Sequence, residues 1–356
     1  MGCCDENTAF ISRSGVSSAD FPAPDVSRRT MLKGATALAG VLSTAAPVVA
    51  QTPLKKVTIS FCSQFLCAPP YEVARAFGHF RKHGLDGEIV YFRGGNAAIQ
   101  ALVAGAVDYG ATSLDVAMQA YAKGADIRRF VTTGQVPLFA VATSPKNADV
   151  IHSLKELEGK TVGVSALGNA DHALLLFLLK EAGADKSKVQ FATMGVNLLE
   201  ALRQNQIDAG LVQEPALTIL SNSGARVLVN AMDIAQTTKL LGGPYEFMGV
   251  SARTKEIETR KTEMQAIARA LDDALKALRT MPPAELMNAF PKELLAGGNT
   301  DQMRDVLARY RTSLYPQSAV INISAVNRVA ETLKTAGLVP ANADVSKLHD
   351  TTIFKG

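Results

Sequence analysis

Gln100-Ala101-Leu102-Val103-Ala104-Gly105-Ala106-Val107-Asp108-Tyr109-Gly110 returns a hundred residues later as Glu200-Ala201-Leu202-Arg203-Gln204-Asn205-Gln206-Ile207-Asp208-Ala209-Gly210. Ala, Leu, Asp and Gly recur in place, and Val107 is answered by Ile207. At the same spacing Gly124-Ala125 is matched by Gly224-Ala225. Upstream, Gly84 pairs with Gly183, and Val90-Tyr91-Phe92 with Val189-Gln190-Phe191. Further back, Lys56-Val57-Thr58-Ile59-Ser60 resembles Lys160-Thr161-Val162-Gly163-Val164-Ser165. A period this long is that of two domains on one plan, not of a solenoid.

Each block alternates strand and helix. In the first, Val57–Phe61 is apolar and β-branched, as a buried strand is. Pro69-Pro70 opens a helix over 71–83 that stops at Gly84, since Pro suits a first turn and Gly a left-handed C-terminus. Strand 88–92, helix 97–104, strand 107–111, a helix capped by Ser113 and strand 129–133 follow. The second block repeats the order with strand 161–165, helix 171–182, strand 189–193, helix 198–204, strand 209–212, a helix after Pro215 and strand 227–229. Ser153-Leu154-Lys155-Glu156 ahead of it is a capping box. Such alternation predicts an α/β fold with parallel sheets and right-handed crossovers, and ligands bind beyond the carboxyl ends of such strands.

Residues 137–144 and 245–252 read as strand-like runs that carry the chain between the two blocks. Residues 262–280 and 301–312 read as helices with no further strand–helix repeat, and the first lobe is their expected host. The domain reading is therefore 51–137 plus 245–356 for lobe 1 and 138–244 for lobe 2. Two crossings favour hinge closure.

The chain has 356 residues, 47% apolar and 20% charged, a globular composition with room for about two domains. Aromatics are 6% with no Trp, and 37 Lys+Arg stand against 33 Asp+Glu, which argues against a nucleic-acid partner. No apolar run reaches the ~18 residues of a membrane span, so no stable membrane insertion is expected.

Residues 1–50 read as an address. Ser27-Arg28-Arg29-Thr30-Met31-Leu32-Lys33 precedes a mild apolar stretch from Ala35 to Ala50 that ends in small residues. This is the layout of a cleaved export signal, and the paired arginines resemble a twin-arginine one. The segment carries four basic residues (Arg13, Arg28, Arg29, Lys33) and four acidic ones (Asp5, Glu6, Asp20, Asp25), so its removal leaves the net charge at +4. The mature chain is then expected in the periplasm. There Cys62 and Cys67 form either a small disulfide or two half-buried thiols, because spacing alone does not establish the geometry.

On this fold the functional residues follow the strands. They are Ser63-Gln64-Phe65, Gly94-Gly95-Asn96 and Thr112-Ser113 in the first block. In the second, Ser165 is followed by Ala166-Leu167-Gly168-Asn169, then Gly195-Val196-Asn197 and Gln213-Glu214. Gly, Ser, Thr, Asn and Gln dominate, which is ordinary turn chemistry in any one loop but suits a small polar or anionic ligand where six loops converge. Gly94-Gly95 lacks dinucleotide spacing, and Gly163 to Gly168 lacks the Lys-Ser/Thr of a phosphate loop, so no cofactor is expected. His79 and His83 lack the Glu of a metal-protease helix and read as a solvated face without metal. Asp108 and Asp208, each just before a strand Gly, read as turn residues rather than catalysts.

Gly78-His79-Phe80-Arg81-Lys82-His83-Gly84-Leu85, Ala101-Leu102-Val103-Ala104-Gly105-Ala106-Val107-Asp108, the run from Leu154 to Val164 and the Glu214-Pro215 pair resemble the nitrate/sulfonate/taurine periplasmic binding proteins of ABC importers. The resemblance spans roughly residues 55–280. It implies a type II periplasmic-binding fold, two Rossmann-like lobes joined by two hinge crossings, and no catalysis. It implies capture of a sulfonate-, nitrate- or taurine-like anion by a monomer, and delivery to an ABC permease with its ATPase. By the same resemblance Ser63, Gln64, Asn96, Thr112, Ser113, Ser165, Asn169 and Glu214 fall on ligand-contacting loops. Arg93 is the only cation in those loops, and a cleft-facing Glu214 would repel an anion. The alternative is an exported enzyme or pyrimidine-synthase-like relative on the same fold, although the Cys-rich motif of those enzymes is missing. A sensory lobe is a third reading.

The address generates a first prediction. Replacing Arg28 and Arg29 together by Lys is expected to leave precursor in the cytoplasm, read by immunoblot of fractionated cells. Undiminished periplasmic yield would exclude the twin-arginine route.

Overall fold

The duplicated motif folds into two copies of one strand–helix unit. The computed structural model describes residues 53–62, 65–295 and 299–356. Residues 1–50, read above as an export signal, and the loop residues Ser63 and Gln64 lie outside the described residues. The strands are β1 (Lys55–Cys62), β2 (Leu85–Phe92), β3 (Tyr109–Ser113), β4 (Ile127–Thr132), β5 (Ala140–Thr143), β6 (Thr161–Val164), β7 (Gln190–Thr193), β8 (Ala209–Val212), β9 (Val227–Asn230) and β10 (Met248–Arg253). They form two five-stranded sheets, ordered β2-β1-β3-β10-β4 and β7-β6-β8-β5-β9. With β1–β4 laid on β6–β9, the two orders are the same, and each sheet admits one strand from a crossing.

The helices are α1 (Pro69–Ala76), α2 (His79–Lys82), α3 (Gly95–Val103), α4 (Leu114–Ala122), α5 (Ala170–Glu181), α6 (Leu198–Arg203) and α7 (Ala216–Asn222). After them come α8 (Ile234–Leu241), α9 (Lys261–Thr280), α10 (Pro283–Leu286), α11 (Lys292–Leu295), α12 (Thr300–Leu314) and α13 (Ile323–Ala336).

The repeated letters have a physical reason. Asp108 Oδ2 accepts from the backbone and the hydroxyl of Thr58, both at 2.8 Å, and Asp108 N donates to Thr58 O. Asp208 Oδ2 accepts from Thr161 N at 2.8 Å, and Asp208 N donates to Thr161 O. In both copies an aspartate thus ties the third strand to the first. Two residues on, a Cβ added at Gly110 would lie 3.0 Å from Leu102, and one at Gly210 would lie 3.2 Å from Leu202. The repeated Leu packs on the repeated Gly, which is why both recur. Gly105 (φ +79°) and Asn205 (φ +55°) end the intervening helices in the left-handed region that these residue types tolerate.

The parallel expectation holds for β1–β2, β1–β3, β6–β7 and β6–β8, but β10 runs antiparallel to β3 and β4, and β5 to β8 and β9. Each crossing strand enters its sheet from the far side, against the direction of its neighbours. The helix expected over 71–83 is broken between α1 and α2, where Gly78 takes φ +75°. His83 then meets Asp273 of α9 at 2.9 Å, and His79 is half buried, so these histidines pack on α9 instead of lining a solvated face. Glu156 reaches back to Ser153 N at 2.9 Å, the carboxylate half of the expected box. Ser113 stands at the start of α4 without a side-chain capping bond.

Helix α9 packs on α1 and α2, and Tyr315 after α12 donates to Leu66 O at 2.9 Å, which ties both to the first sheet. Helix α13 reaches further. It packs against α4 and α5, while Lys186 Nζ donates to Ala336 O at 3.0 Å and Arg328 to Gly242 O at 2.9 Å. The cover it supplies explains α5, whose Leu174, Leu175, Leu176, Leu178 and Leu179 are all buried.

Beneath the crossing lies Arg129, fully buried on β4. Its guanidinium donates to Thr112 O at 3.1 Å and Phe247 O at 2.7 Å and faces Glu246 at 3.5 Å. An added Cβ on Gly249 would come 2.5 Å from Arg129, so β10 needs glycine there.

Two stability tests follow from these contacts. Asp108→Ala and Asp208→Ala each strand hydrogen-bond donors and should cost about 1–3 kcal/mol in urea unfolding. Asp108→Ala should cost more, because the other oxygen of Asp108 pairs with the charged Arg260 at 3.0 Å, whereas that of Asp208 accepts from the neutral Asn147 amide at 3.0 Å; equal losses would contradict this. Burial pushes the Glu246 carboxyl up to about 7, against the pull of Arg129. A carboxyl raised on folding favours the folded state most below its ordinary pKa. Its contribution is therefore lost as pH rises from about 4.5 to about 7. Glu246→Gln should remove that slope from the wild-type profile of Tm against pH, and an unchanged profile would exclude it as the source.

Candidate functional site

The carboxyl ends of the two sheets face each other across a cavity with about 360 Å³ of atom-free space, including its open mouth. Cys62 and Cys67, then Gly94 and Gly95 at the start of α3, Ser113 and Val116 line it from the first sheet. Ser165, Asn169, Ala170 and Asp171, at the end of β6 and the start of α5, line it from the second. Phe139, Phe247 and Met248 come from the two crossings. The walls approach closely: a Cβ on Gly94 would sit 3.5 Å from Asn169 Nδ2, and Gln119 Nε2 of α4 donates to Gly168 O across the gap at 2.9 Å.

Of the residues that the sequence singled out, Gly95, Ser113, Ser165 and Asn169 meet here. Asn96 and Gly168 line a neighbouring recess with Gln119 and Leu167. Phe65 is buried in the core, its ring 5.4 Å from that of Phe290. Thr112 is fully buried, and its carbonyl serves Arg129. Asn197, Gln213 and Glu214 are absent from the cavity lining, and Glu214 instead accepts from Thr218 N at 2.9 Å and Thr218 Oγ1 at 3.0 Å. Of these, Thr112 turns into the core and Glu214 onto its own helix, Asn197 is exposed and Gln213 half-buried. Arg93 is exposed and is not in the lining.

The sequence reading missed Asp171. Its Oδ2 accepts from Ser165 N at 2.5 Å and its Oδ1 from Ser165 Oγ at 2.8 Å. Burial raises its pKa, opposed by those bonds. Because the Ser165 hydroxyl spends its proton on Asp171, Ser165 Oγ accepts the bond from Asn169 Nδ2 at 3.0 Å. That orients the amide and leaves Asn169 Oδ1 buried without a partner. Asp115, in the first turn of α4, accepts from Tyr245 OH at 2.6 Å through Oδ1, while its buried Oδ2 has no partner. Burial pushes Asp115 up to about 6, with the charge of Asp171 adding to the rise. An acid two residues after a polar helix start, as in Asn169-Ala170-Asp171 and Ser113-Leu114-Asp115, was the available signal. Helix dipoles favour acids at that place regardless of function, so it does not stand out.

Cys62 and Cys67 are both buried and are reduced thiols, not joined as a disulfide. Burial, together with a hydrogen bond to Cys62, pushes the Cys67 thiol well up, so it stays protonated. Among the described residues of the lining none is His, Lys or Arg. What the arrangement offers is hydrogen bonds from two separate walls.

Three comparisons with known proteins bear on this geometry. A protein of Bordetella bronchiseptica RB50 has a solved structure that superposes with a TM-score of 0.75 at 25% identity, over 84% of this chain and 95% of that one. The periplasmic aliphatic sulphonate-binding protein SsuA of Escherichia coli gives 0.65 at 21% identity, over 85% and 94%. The periplasmic nitrate-binding protein NrtA of Synechocystis PCC 6803 gives 0.68 at 11%, over 84% and 87%. The fold is thus that of the periplasmic binding proteins. A curated relative from Brucella abortus, whose name assigns it a provisional binding role, is 27% identical over 196 residues, 53% of this chain and 56% of its own length. The chain spans about half the length of the curated relatives it matches. The family model described as NMT1/THI5 like matches residues 68–285, more than half of the chain. With the duplicated sheets and the shared cleft, this match establishes that the chain belongs to the NMT1/THI5-like family.

Proposed function

We propose that this protein is the solute-binding component of an ABC importer. It captures a small polar solute between two lobes, 51–137 plus 245–356 and 138–244, and hands it unchanged to a permease driven by an ATPase. The observation that carries the reading is the cavity at the carboxyl ends of both sheets, with each sheet supplying one wall. A ligand touching both walls binds the closed arrangement better than the open one, and only that difference shifts the population. A carrier needs this, because the permease must tell loaded protein from empty. The solved neighbours named for sulphonate and nitrate binding support a carrier role. Work in the periplasm agrees with the arginine pair of the leader. Among the described residues no helix is long and apolar enough to cross a membrane. Ser113, Ser165 and Asn169 are the proposed side-chain contacts, with Gly95 offering backbone.

The test has two parts. Asn169→Ala should weaken the binding of a solute found by thermal-shift screening several-fold in calorimetry, since a lost hydrogen bond costs about 0.5–1.5 kcal/mol. Small-angle scattering should show compaction with that solute, which should be recovered intact. A new product would move the assignment to an enzyme, and unchanged affinity would place the solute elsewhere.

A further inference from the structure

The charge in the cleft has the wrong sign for a free anion. Among the described residues lining the cavity, none is Lys, Arg or His, and Asp171 is the only carboxylate. Asp115, buried on α4, has its carboxyl raised by burial, and the charge of Asp171 adds to the rise. Arg129 is the only fully buried Lys or Arg among the described residues; its Nη1 and Nη2 donate to Thr112 O and Phe247 O, and its Nε, without a hydrogen bond, faces Glu246 at 3.5 Å. Backbone N–H groups at helix starts are the usual home of an anion. Here the first turns of α4 and α5 carry Asp115 and Asp171, which put negative charge at those helix starts. Only α3 opens onto the cavity without an acid in its first turn.

The unsatisfied atoms point the same way. Asn169 Oδ1 and Asp115 Oδ2 are buried and lack a donor. Asp171 is 1% exposed, and its hydrogen-bond donors, Ser165 N and Ser165 Oγ, come from one residue. A buried acceptor without a donor is costly, and a buried carboxylate without a cation more so.

Resting on the carrier reading above, we infer that the cleft selects a solute whose enclosed end is a hydrogen-bond-donating cation of the protonated-amine class. Asp171 holds the charge and Asn169 Oδ1 receives an N–H. The network around Asp171 sets this preference: its carboxylate fixes the Ser165 hydroxyl, the hydroxyl fixes the Asn169 amide, and the amide presents oxygen to the solute. Asp115 adds negative potential behind the wall. A free sulfonate or nitrate meets acceptors and a like charge.

The experiment compares propylammonium, propanesulfonate and nitrate as probes in thermal-shift titrations of the mature chain. Propylammonium should raise Tm, and the two anions should not. Asp171→Asn should weaken propylammonium about tenfold or more, the scale of a hydrogen bond to a charged group. Asp115→Asn, which leaves the Asp171–Ser165–Asn169 network intact, should weaken it less and serves as the second variant if Asp171→Asn does not fold. A rise in Tm with propanesulfonate or nitrate alone overturns the cation assignment and leaves the carrier reading standing. Propylammonium binding that is indifferent to both substitutions also overturns it. Silence toward all three probes overturns it too, and if no screened solute then compacts the protein in scattering, the carrier reading falls with it.

Discussion

Arg129 is the contact on which the cleft depends. Its guanidinium, fully buried on β4, joins the last turn of β3 through Thr112 O to the incoming crossing through Phe247 O and faces Glu246. The residues next to these anchors, Ser113, Phe247 and Met248, line the cavity. Breaking a buried charge pair by removing one partner costs about 3–5 kcal/mol, because the other charge is stranded. The crossing is thus pinned to the first sheet by a group that does not tolerate partial loss. The cost shows in the neighbours: Glu246 and Asp115 are both pushed toward neutrality by burial although Arg129 pulls them down. His349 is driven down to about 3 by burial and by the same cation.

The duplicated units solve one packing problem twice. An aspartate clamps the third strand to the first, a leucine seats on a glycine, and a left-handed residue ends the helix between them. These contacts lie inside each unit, so the same residue types recur in both copies. The cleft residues follow no such rule. Gly94 and Gly95 face Ser165 and Asn169, with different chemistry on each wall.

Much of this was legible in order along the chain. Strand and helix alternation, the placing of Gly105, Gly124, Gly183 and Gly224 after helices, and the crossings at 137–144 and 245–252 all follow from local patterns that act over a few residues. The antiparallel sense of β5 and β10 was not, since strand direction depends on where a crossing enters the sheet. Nor was the seat of α13. The run Leu174-Leu175-Leu176 did announce a helix covered on all sides, but not which segment covers it.

The sequence by itself determined the architecture, because periodicity, glycine placement and the repeat are one-dimensional records of backbone and packing constraints. It also placed Gly95, Ser113, Ser165 and Asn169 at strand ends, where such sheets hold ligands. Only the tertiary structure sets them apart from Phe65 and Thr112, which turn into the core, Glu214, which bonds within its own helix, and Asn197 and Gln213, which lie outside the cavity lining. It alone revealed the sign of the cleft. Charge at a site is a sum over groups brought together from β4, α4, α5 and the second crossing, and distances between residues as far apart as Arg129 and Glu246 are written nowhere in the order of the chain.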